Sequence, residues 1–227
     1  DLDSVKALMN DKTCAVIMET IQGEGGIYPA TEEFLKGIRK LCDEHDVLLI
    51  LDEIQCGMGR TGTMFAWQKY GVKPDVMTAA KALGNGVPIG AFLAYGKAAT
   101  AMSPGDHGTT YGGNPFVTAA AAKVLELFEK RKIVDHVKEV GDYLWEQTDA
   151  LLKKYDIITA HRGLGLIQGL ELSVAAGPLV EDALLNEKLV IISAGTNVIR
   201  MVPPLIITRE HVDSMLMKLE TVLKKHS

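Results

Sequence analysis

The sequence predicts an α/β protein in which a mainly parallel sheet is followed by a smaller α+β region. Within the first 130 residues, short apolar runs alternate with one clear amphipathic helix. Beyond residue 130 the order of strand and helix patterns changes. Nowhere in the chain is an apolar run long enough to cross a bilayer. We therefore expect a large domain at residues 1–130 and a small C-terminal domain at residues 131–227.

Four apolar runs in the first part are typical of strands buried on both faces. They are residues 14–18, 47–52, 75–79 and 89–95. Between the first two runs, Thr31 can cap a helix whose apolar residues recur at helical spacing from Phe34 to Cys42. Strand, helix and strand in that order imply a parallel pair, and such sheets bind ligands outside the carboxyl ends of their strands, where Asp52 stands.

The remaining elements follow from the same periodicities. A helical pattern with Phe116 on its apolar face runs to Arg131, and a third helix continues through Leu152. Then come a strand-like GLIQGLEL, a short helix near 178–188, strands around 189–193 and 197–202, and a last helix capped by Thr208. Together these elements predict an α+β arrangement for the second domain.

Composition excludes several classes of protein. The 227 residues are 47% hydrophobic and 23% charged with a formal net charge of −5, and basic residues are not clustered, so we expect neither a nucleic-acid nor a membrane partner. Three widely spaced cysteines and six histidines without ligand spacing predict a reducing, cytoplasmic setting and no structural metal. The start at Asp1, without a signal-peptide pattern, is typical of a cut through a longer protein.

Asp52 and Lys81 are the most informative pair of residues. Asp52 closes the apolar strand LLILD, and Lys81 lies among small residues in TAAKALGNG. Pyridoxal phosphate needs a lysine amine for its Schiff base and an anionic partner for its ring nitrogen, so this pair predicts a site for that cofactor. The alternatives are an ordinary strand-end carboxylate and a plain surface lysine.

Other segments add candidate ligand contacts. Gln55 lies one turn beyond Asp52 and can hydrogen-bond a ligand oxygen, while Glu24 follows the first strand in QGEGG and Arg200 lies in the strand pattern VIRMVPP. An arginine there favours a carboxylate-binding role, with a structural salt bridge as the alternative. GTTYGGNP, residues 108–115, could hold a phosphate or be only a loop. The match of GMGRTG, residues 57–62, to a dinucleotide motif is rejected, because that motif's first glycine follows the strand almost directly, whereas here residues 52–56 intervene and two of them are carboxylates.

These segments together resemble the class III pyridoxal-phosphate-dependent aminotransferases. The resemblance rests on ETIQGEGGIYPA, LLILDEIQCGMGRTG, DVMTAAKALGNGVPIGA, HGTTYGGNP and VIRMVPPL, and it covers essentially the whole chain in order. It implies a fold-type I transferase that works as a homodimer, with residues 1–130 forming part of the pyridoxal-phosphate-binding domain. The family's phosphate-binding loop and ring-stacking aromatic residue have no counterpart here, so this chain resembles the C-terminal portion and is predicted to be inactive alone.

The resemblance also implies a role for each candidate residue. Lys81 matches the Schiff-base lysine, Asp52 the partner of the pyridine nitrogen, and Gln55 a neighbour of the phenolic oxygen. Thr110 matches the threonine that reaches the phosphate of the neighbouring subunit. Arg200 matches the arginine that binds the substrate α-carboxylate, and Glu24 its glutamate partner. Thr20 and Thr109 depart mildly from the family pattern, where proline and serine are frequent.

The implied reaction transfers the δ-amino group of N2-acetylornithine to 2-oxoglutarate in arginine biosynthesis. Ornithine and 4-aminobutyrate remain open as amino donors, since Glu24 and Arg200 would serve all three. Two further alternatives are a non-catalytic fragment that only folds and associates, and a nucleotide-binding module.

Overall fold

The computed structural model describes residues 1–227, and their contacts divide the chain into two compact units. The first unit comprises residues 1–20, 30–58 and 63–132. The second comprises residues 21–29, 59–62 and 133–227. The two short segments of the second unit come from the first half of the sequence, so the units are not two consecutive stretches of the chain. The domains 1–130 and 131–227 stay a prediction.

The first unit is built around a four-stranded sheet. Its elements are α1 (Leu2–Leu8), β1 (Ala15–Glu19), α2 (Glu32–Glu44), β4 (Leu48–Asp52), α3 (Trp67–Tyr70), β5 (Val76–Ala79), β6 (Ala91–Ala94) and α4 (Pro115–Lys130). The strand order is β1-β4-β5-β6. β1, β4 and β5 are parallel, which confirms the mainly parallel sheet, and β6 pairs with β5 in the antiparallel sense.

Helix α2 connects the first two parallel strands, as its pattern predicted. Thr31 Oγ1 accepts a hydrogen bond from the Phe34 backbone N–H at 3.1 Å, and the charged first turn suits the helix N-terminus. The buried face consists of Leu35, Ile38, Leu41 and Cys42. It covers the sheet and fixes the direction in which β4 runs.

Two predictions of burial in this unit are wrong. The run 89–95 is predicted to be buried on both faces, yet in β6 the side chains of Phe92 and Leu93 are each 50% exposed. β6 lies at the edge of the sheet, so few neighbours cover it. Phe116 is predicted to face the core but is 72% exposed, because α4 buries only Val117 and Ala121.

The second unit contains a four-stranded antiparallel sheet and three helices. Its elements are β2 (Ile21–Gln22), β3 (Tyr28–Pro29), α5 (Ile133–Lys154), β7 (Ile158–Leu164), β8 (Ile167–Leu172), α6 (Ala176–Leu185), β9 (Ile192–Ala194), β10 (Val198–Met201) and α7 (Arg209–His226). The strand order of the sheet is β7-β8-β10-β9, while β2 and β3 pair with each other around the segment that contains Glu24. The α+β pattern predicted for this part of the chain agrees with these elements.

Strand β7 was not predicted from the sequence. Its polar members His161 and Arg162 interrupt the apolar alternation, and the turn that follows it is tight. A side chain on Gly165 would approach the Arg60 carbonyl oxygen within 2.7 Å, and one on Gly141 of α5 would approach Gly165 Cα within 2.6 Å. The helix and the turn can pack this closely only because both positions are glycine.

No helix of the structure has the length and apolarity that crossing a membrane requires. No group of three or more histidine, cysteine or acidic side chains is arranged to hold a metal ion.

Candidate active site

Asp52 and Lys81 lie at the same edge of the first sheet. Asp52 is the last residue of β4 and is paired in register with Thr78 of β5. Lys81 follows Thr78 by three positions and begins a single 3-10 turn, Lys81–Leu83, directly beyond β5. Because β4 and β5 are parallel, their carboxyl ends meet at one edge, which is where sheets of this kind bind ligands.

Asp52 is held by the turn that it begins. Its Oδ1 accepts a hydrogen bond from the Ile54 backbone N–H at 2.8 Å. The neighbouring Thr78 hydroxyl is buried and has no hydrogen-bond partner within the chain. The Asp52 carboxylate and the Thr78 hydroxyl are therefore polar groups at the carboxyl end of the sheet that can form hydrogen bonds with a polar ligand.

Lys81 has an uncommon backbone conformation. Its φ is +44°, in the left-handed region that side-chain-bearing residues seldom occupy, and its side chain is exposed. The next turn is equally constrained, since a side chain on Gly84 would approach the Val87 carbonyl oxygen within 2.0 Å. Strain of this kind concentrates at functional sites, because the surrounding structure must fix the residue in one orientation.

Glu53 stabilises the loop that follows Asp52. Its side chain is 1% exposed, and its two carboxylate oxygens accept hydrogen bonds from the backbone N–H groups of Ala66 and Trp67, each at 2.8 Å. Cys56 Sγ lies 3.5 Å from Glu53 Oε2. Burial raises the pKa of the Glu53 carboxyl, and the backbone donors oppose that shift.

The raised pKa of Glu53 predicts a specific pH dependence of stability. A carboxyl whose pKa is higher in the folded than in the unfolded state contributes stability that is complete below its ordinary pKa of about 4.3 and is lost as the pH rises through the folded value. Relative to Glu53→Gln, which does not titrate, the wild-type chain should therefore show a Tm that falls as the pH rises above the ordinary glutamate range.

Thermal melts at several pH values measure this difference, with Glu129→Gln, which removes an exposed carboxylate from α4, as the control. A wild-type Tm that rises with pH relative to Glu53→Gln would show that the backbone donors outweigh burial, and would contradict the prediction.

Two other predicted residues of this unit lie in turns. Gln55 is half-buried in the turn after β4, and Thr110 is exposed in the segment before α4. Helix α4 begins as the sequence predicted, with Asn114 Oδ1 accepting hydrogen bonds from the backbone N–H groups of Phe116 and Val117 at 3.1 and 3.2 Å. The roles of Gln55 and Thr110 toward a cofactor remain predictions from the resemblance.

Glu24 and Arg200 form an ion pair in the second unit. Arg200 lies on β10 and is 8% exposed, and its Nη1 is 2.7 Å from Glu24 Oε1. The same nitrogen donates a hydrogen bond to the Gly23 carbonyl oxygen at 2.8 Å. The side chain of Glu24 is 72% exposed, so a nearly buried cation is paired with a carboxylate that solvent reaches.

The structure therefore brings the predicted residues into two sets: Asp52 and Lys81 at one sheet edge, and Glu24 with Arg200 on the other unit. Sequence reasoning missed Glu53. The sequence feature that could have identified Glu53 is its position directly after Asp52. Consecutive side chains of a strand point to opposite sides, so the two carboxylates cannot both face the same ligand. One of two adjacent carboxylates is then expected to need partners inside the protein.

A lysine and an aspartate at the carboxyl ends of neighbouring parallel strands agree with the fold-type I architecture that the resemblance implies. The family model described as aminotransferase class-III matches residues 1–223. The chain belongs to the class III aminotransferase family.

Curated relatives are similar in sequence to the chain along nearly its whole length. Acetylornithine aminotransferase of Clostridium acetobutylicum is 48% identical over 225 residues, which are 99% of this chain and 58% of that protein. Succinylornithine transaminase of Citrobacter koseri is 46% identical over 215 residues, or 93% of this chain and 53% of that protein. The chain thus spans somewhat more than half the length of these relatives.

Solved structures are similar in the same way. N-acetylornithine aminotransferase from Stenotrophomonas maltophilia K279a is 38% identical with a TM-score of 0.89, covering 100% of this chain and 60% of that one. Ornithine delta-aminotransferase of Plasmodium falciparum is 32% identical with a TM-score of 0.93, covering 99% of this chain and 58% of that one.

Proposed function

We propose that the complete protein is a pyridoxal-phosphate-dependent aminotransferase that moves the δ-amino group of N2-acetylornithine to 2-oxoglutarate. The products are glutamate and the corresponding semialdehyde. The observation that carries the proposal is the placement of Asp52 and Lys81 at the carboxyl ends of neighbouring parallel strands, in a class III chain that is 48% identical to an acetylornithine aminotransferase.

The residues present fit pyridoxal phosphate. A lysine amine in an exposed, strained turn suits covalent attachment of the cofactor, and a carboxylate at the adjacent strand end suits its ring nitrogen. When bound, the cofactor supplies an electron sink for the carbanion formed at the substrate carbon. Lys81 would hold the cofactor and then move the proton at that carbon, and Asp52 would keep the ring nitrogen protonated.

Further contacts follow from the same assignment. Gln55 would donate a hydrogen bond toward the phenolic oxygen of the ring, and Thr110 would contact the cofactor phosphate of a neighbouring subunit. Arg200 would bind the substrate carboxylate, because an almost fully buried guanidinium favours a charged oxygen partner. Glu24 would neutralise Arg200 when the substrate brings no carboxylate to it, so that one enzyme accepts two different amino donors.

In this proposal the activity belongs to a protein of the relatives' length, and the 227-residue chain alone is inactive or nearly so. The chain spans 58% of the Clostridium relative, and the proposal places it in the C-terminal part of such an enzyme. The complete protein is a cytoplasmic homodimer, and its reaction belongs to arginine biosynthesis.

Ornithine is the second candidate amino donor, and 4-aminobutyrate is a third. The fold is shared by the ornithine delta-aminotransferase of Plasmodium falciparum, at a TM-score of 0.93, and by acetylornithine aminotransferases, at 0.89 and 0.91, so it is compatible with either donor. The sequence identity of 48% favours N2-acetylornithine. The remaining alternative is a fragment that folds and associates without catalysis.

A comparison of kcat/KM for N2-acetylornithine, ornithine and 4-aminobutyrate, with 2-oxoglutarate as acceptor, tests the proposal in the complete protein. We expect a preference for N2-acetylornithine of at least about tenfold, which corresponds to about 1.4 kcal/mol of transition-state binding. A preference for either other donor would refute the substrate, and no turnover with any of the three would support the non-catalytic alternative.

A further inference from the structure

Arg162 lies in line with Arg200 across the sheet of the second unit. Arg162 of β7 is in register with Gly169 of β8, and Gly169 is in register with Arg200 of β10. Residues paired in this way share one face of the sheet, so the two arginines flank Gly169 on the same face. The proposed reaction by itself gives Arg162 no role.

The segment that carries Glu24 lies against this face. Arg200 Nη1 donates to the Gly23 carbonyl oxygen and Arg162 Nε donates to the Gly26 carbonyl oxygen, each at 2.8 Å. Next to Gly26, Ile27 is 0% exposed and has a φ of +56°. The two arginines therefore bind the backbone on either side of Glu24, in a segment that we call the Glu24 loop (residues 23–28).

Gly169 leaves the space that the Glu24 loop occupies. A side chain at Gly169 would approach both Cβ and Cγ1 of Ile27 within 3.0 Å. Buried Ile27 thus sits directly above the one position between the two arginines that has no side chain. The packing fixes the height of the loop over the sheet, and the two arginine bonds fix its position along the sheet.

Arg162 is itself held in a single orientation. Its guanidinium carbon lies 3.9 Å from the centroid of the Tyr28 ring, and its Nη1 forms an ion pair with Glu171. Glu171 in turn accepts a hydrogen bond from Asn197 Nδ2 at 3.3 Å. The side chains of Arg162 and Glu171 are only 15% and 29% exposed, so this pair is less screened by solvent than the surface pairs of the chain.

We propose that Arg162 is a positioning residue for Glu24: by anchoring the Glu24 loop at Gly26, it lets the Glu24 side chain leave Arg200 while the loop backbone stays in place. The inference rests on the proposed role of Arg200 in binding a substrate carboxylate. When that carboxylate displaces Glu24, only one side chain, already 72% exposed, changes its partner. The exchange then requires no reordering of the backbone, whose cost would weaken substrate binding.

The arrangement explains why an ion pair and a hydrogen bond converge on Arg200 while a second arginine binds the loop further along. If Arg200 alone held the loop, a substrate that displaced Glu24 would also weaken the anchor. With Arg162 bound to Gly26, the contact that the substrate replaces is separate from a contact that keeps the loop ordered.

Amide order parameters from ¹⁵N relaxation of the 227-residue chain test the anchor directly. In the wild type and in Glu24→Gln, which weakens the ion pair, we expect Gly25, Gly26 and Ile27 to stay near 0.85. In Arg162→Gln we expect these values to fall below about 0.6. Arg209→Gln, which breaks the exposed pair of Arg209 with Glu139 in the same unit, is the matched control and should change none of them.

Arg162→Lys separates the anchor from the stability of the sheet. Lysine keeps a charge opposite Glu171 but lacks the planar group that stacks on Tyr28 while donating to Gly26. We expect a Tm within about 2 °C of the wild type, a change of less than about 1 kcal/mol, together with a loss of order confined to the Glu24 loop. Unchanged order in both Arg162 variants would overturn the proposal, as would a loss spread evenly over β7, β8 and β10.

A second readout in the complete protein links the anchor to catalysis. We expect Arg162→Lys to raise KM for 2-oxoglutarate several-fold with kcat nearly unchanged, because binding and not chemistry requires the ordered loop. Equal falls in kcat for both half-reactions would contradict a positioning role. Because the relaxation measurement needs no activity, an ordered loop in the variants refutes this inference even if the proposed reaction is correct, and a failed reaction leaves the measurement valid.

Discussion

Replacing Lys81 with alanine is expected to remove the covalent adduct that we propose for the protein and pyridoxal phosphate, while the fold persists. Borohydride reduction followed by peptide mass mapping should place one adduct per wild-type chain on Lys81 and none on the variant. In the complete protein, turnover should fall by at least about 10²–10⁴-fold, the contribution of a positioned proton-transfer group. The fold should survive because the Lys81 side chain is exposed.

Lys188→Ala is the matched control, since Lys188 also has a left-handed backbone, with a φ of +53°, and lies outside the predicted site. It separates the effect of the amine at the sheet edge from the effect of removing a lysine from a strained turn. Labelling spread over several surface lysines, or full labelling of the Lys81→Ala chain, would refute the assignment. No adduct on the 227-residue chain, with an adduct at Lys81 in the complete protein, would mean that cofactor binding requires residues outside this chain.

Replacing Arg200 with glutamine is expected to weaken 2-oxoglutarate binding by about 10²-fold. Removing one partner of a buried, hydrogen-bonded charge pair costs about 2–5 kcal/mol, and every 1.4 kcal/mol is about tenfold in affinity. Arg200 is 8% exposed, so its bond to a substrate carboxylate would be poorly screened. The half-reaction with N2-acetylornithine should change less, because Glu24 occupies Arg200 in that proposed state.

Single-turnover kinetics of the two half-reactions measure this difference. Arg209→Gln provides the control, because Arg209 pairs with Glu139 at the surface and their side chains are 55% and 65% exposed. Equal losses in both half-reactions would indicate that Arg200 serves the structure of the sheet and not the carboxylate of one substrate.

Local patterns in the sequence were sufficient for the elements that carry Asp52 and Lys81. Buried parallel strands are continuous apolar runs, and the helix between them carries its own capping residue, Thr31. Strand ends in such a sheet coincide in space, so two residues far apart in sequence can be assigned to one edge from their strand patterns alone. The predicted burial of Phe92 and Phe116 was wrong, because an apolar residue in a periodic pattern does not reveal whether anything packs against it.

The sequence by itself determined the mainly parallel sheet, the two strand ends that present Asp52 and Lys81, and the resemblance to class III aminotransferases. Only the tertiary structure decided that Glu53 is buried with its carboxylate bonded to the backbone of the loop that follows it. The same is true of the row formed by Arg162, Gly169 and Arg200 beneath the Glu24 loop. The physical reason is the distance along the sequence over which each feature is decided. Strand and helix patterns arise from neighbours along the chain, whereas the alignment of two arginines depends on the register of three strands and on a glycine between them.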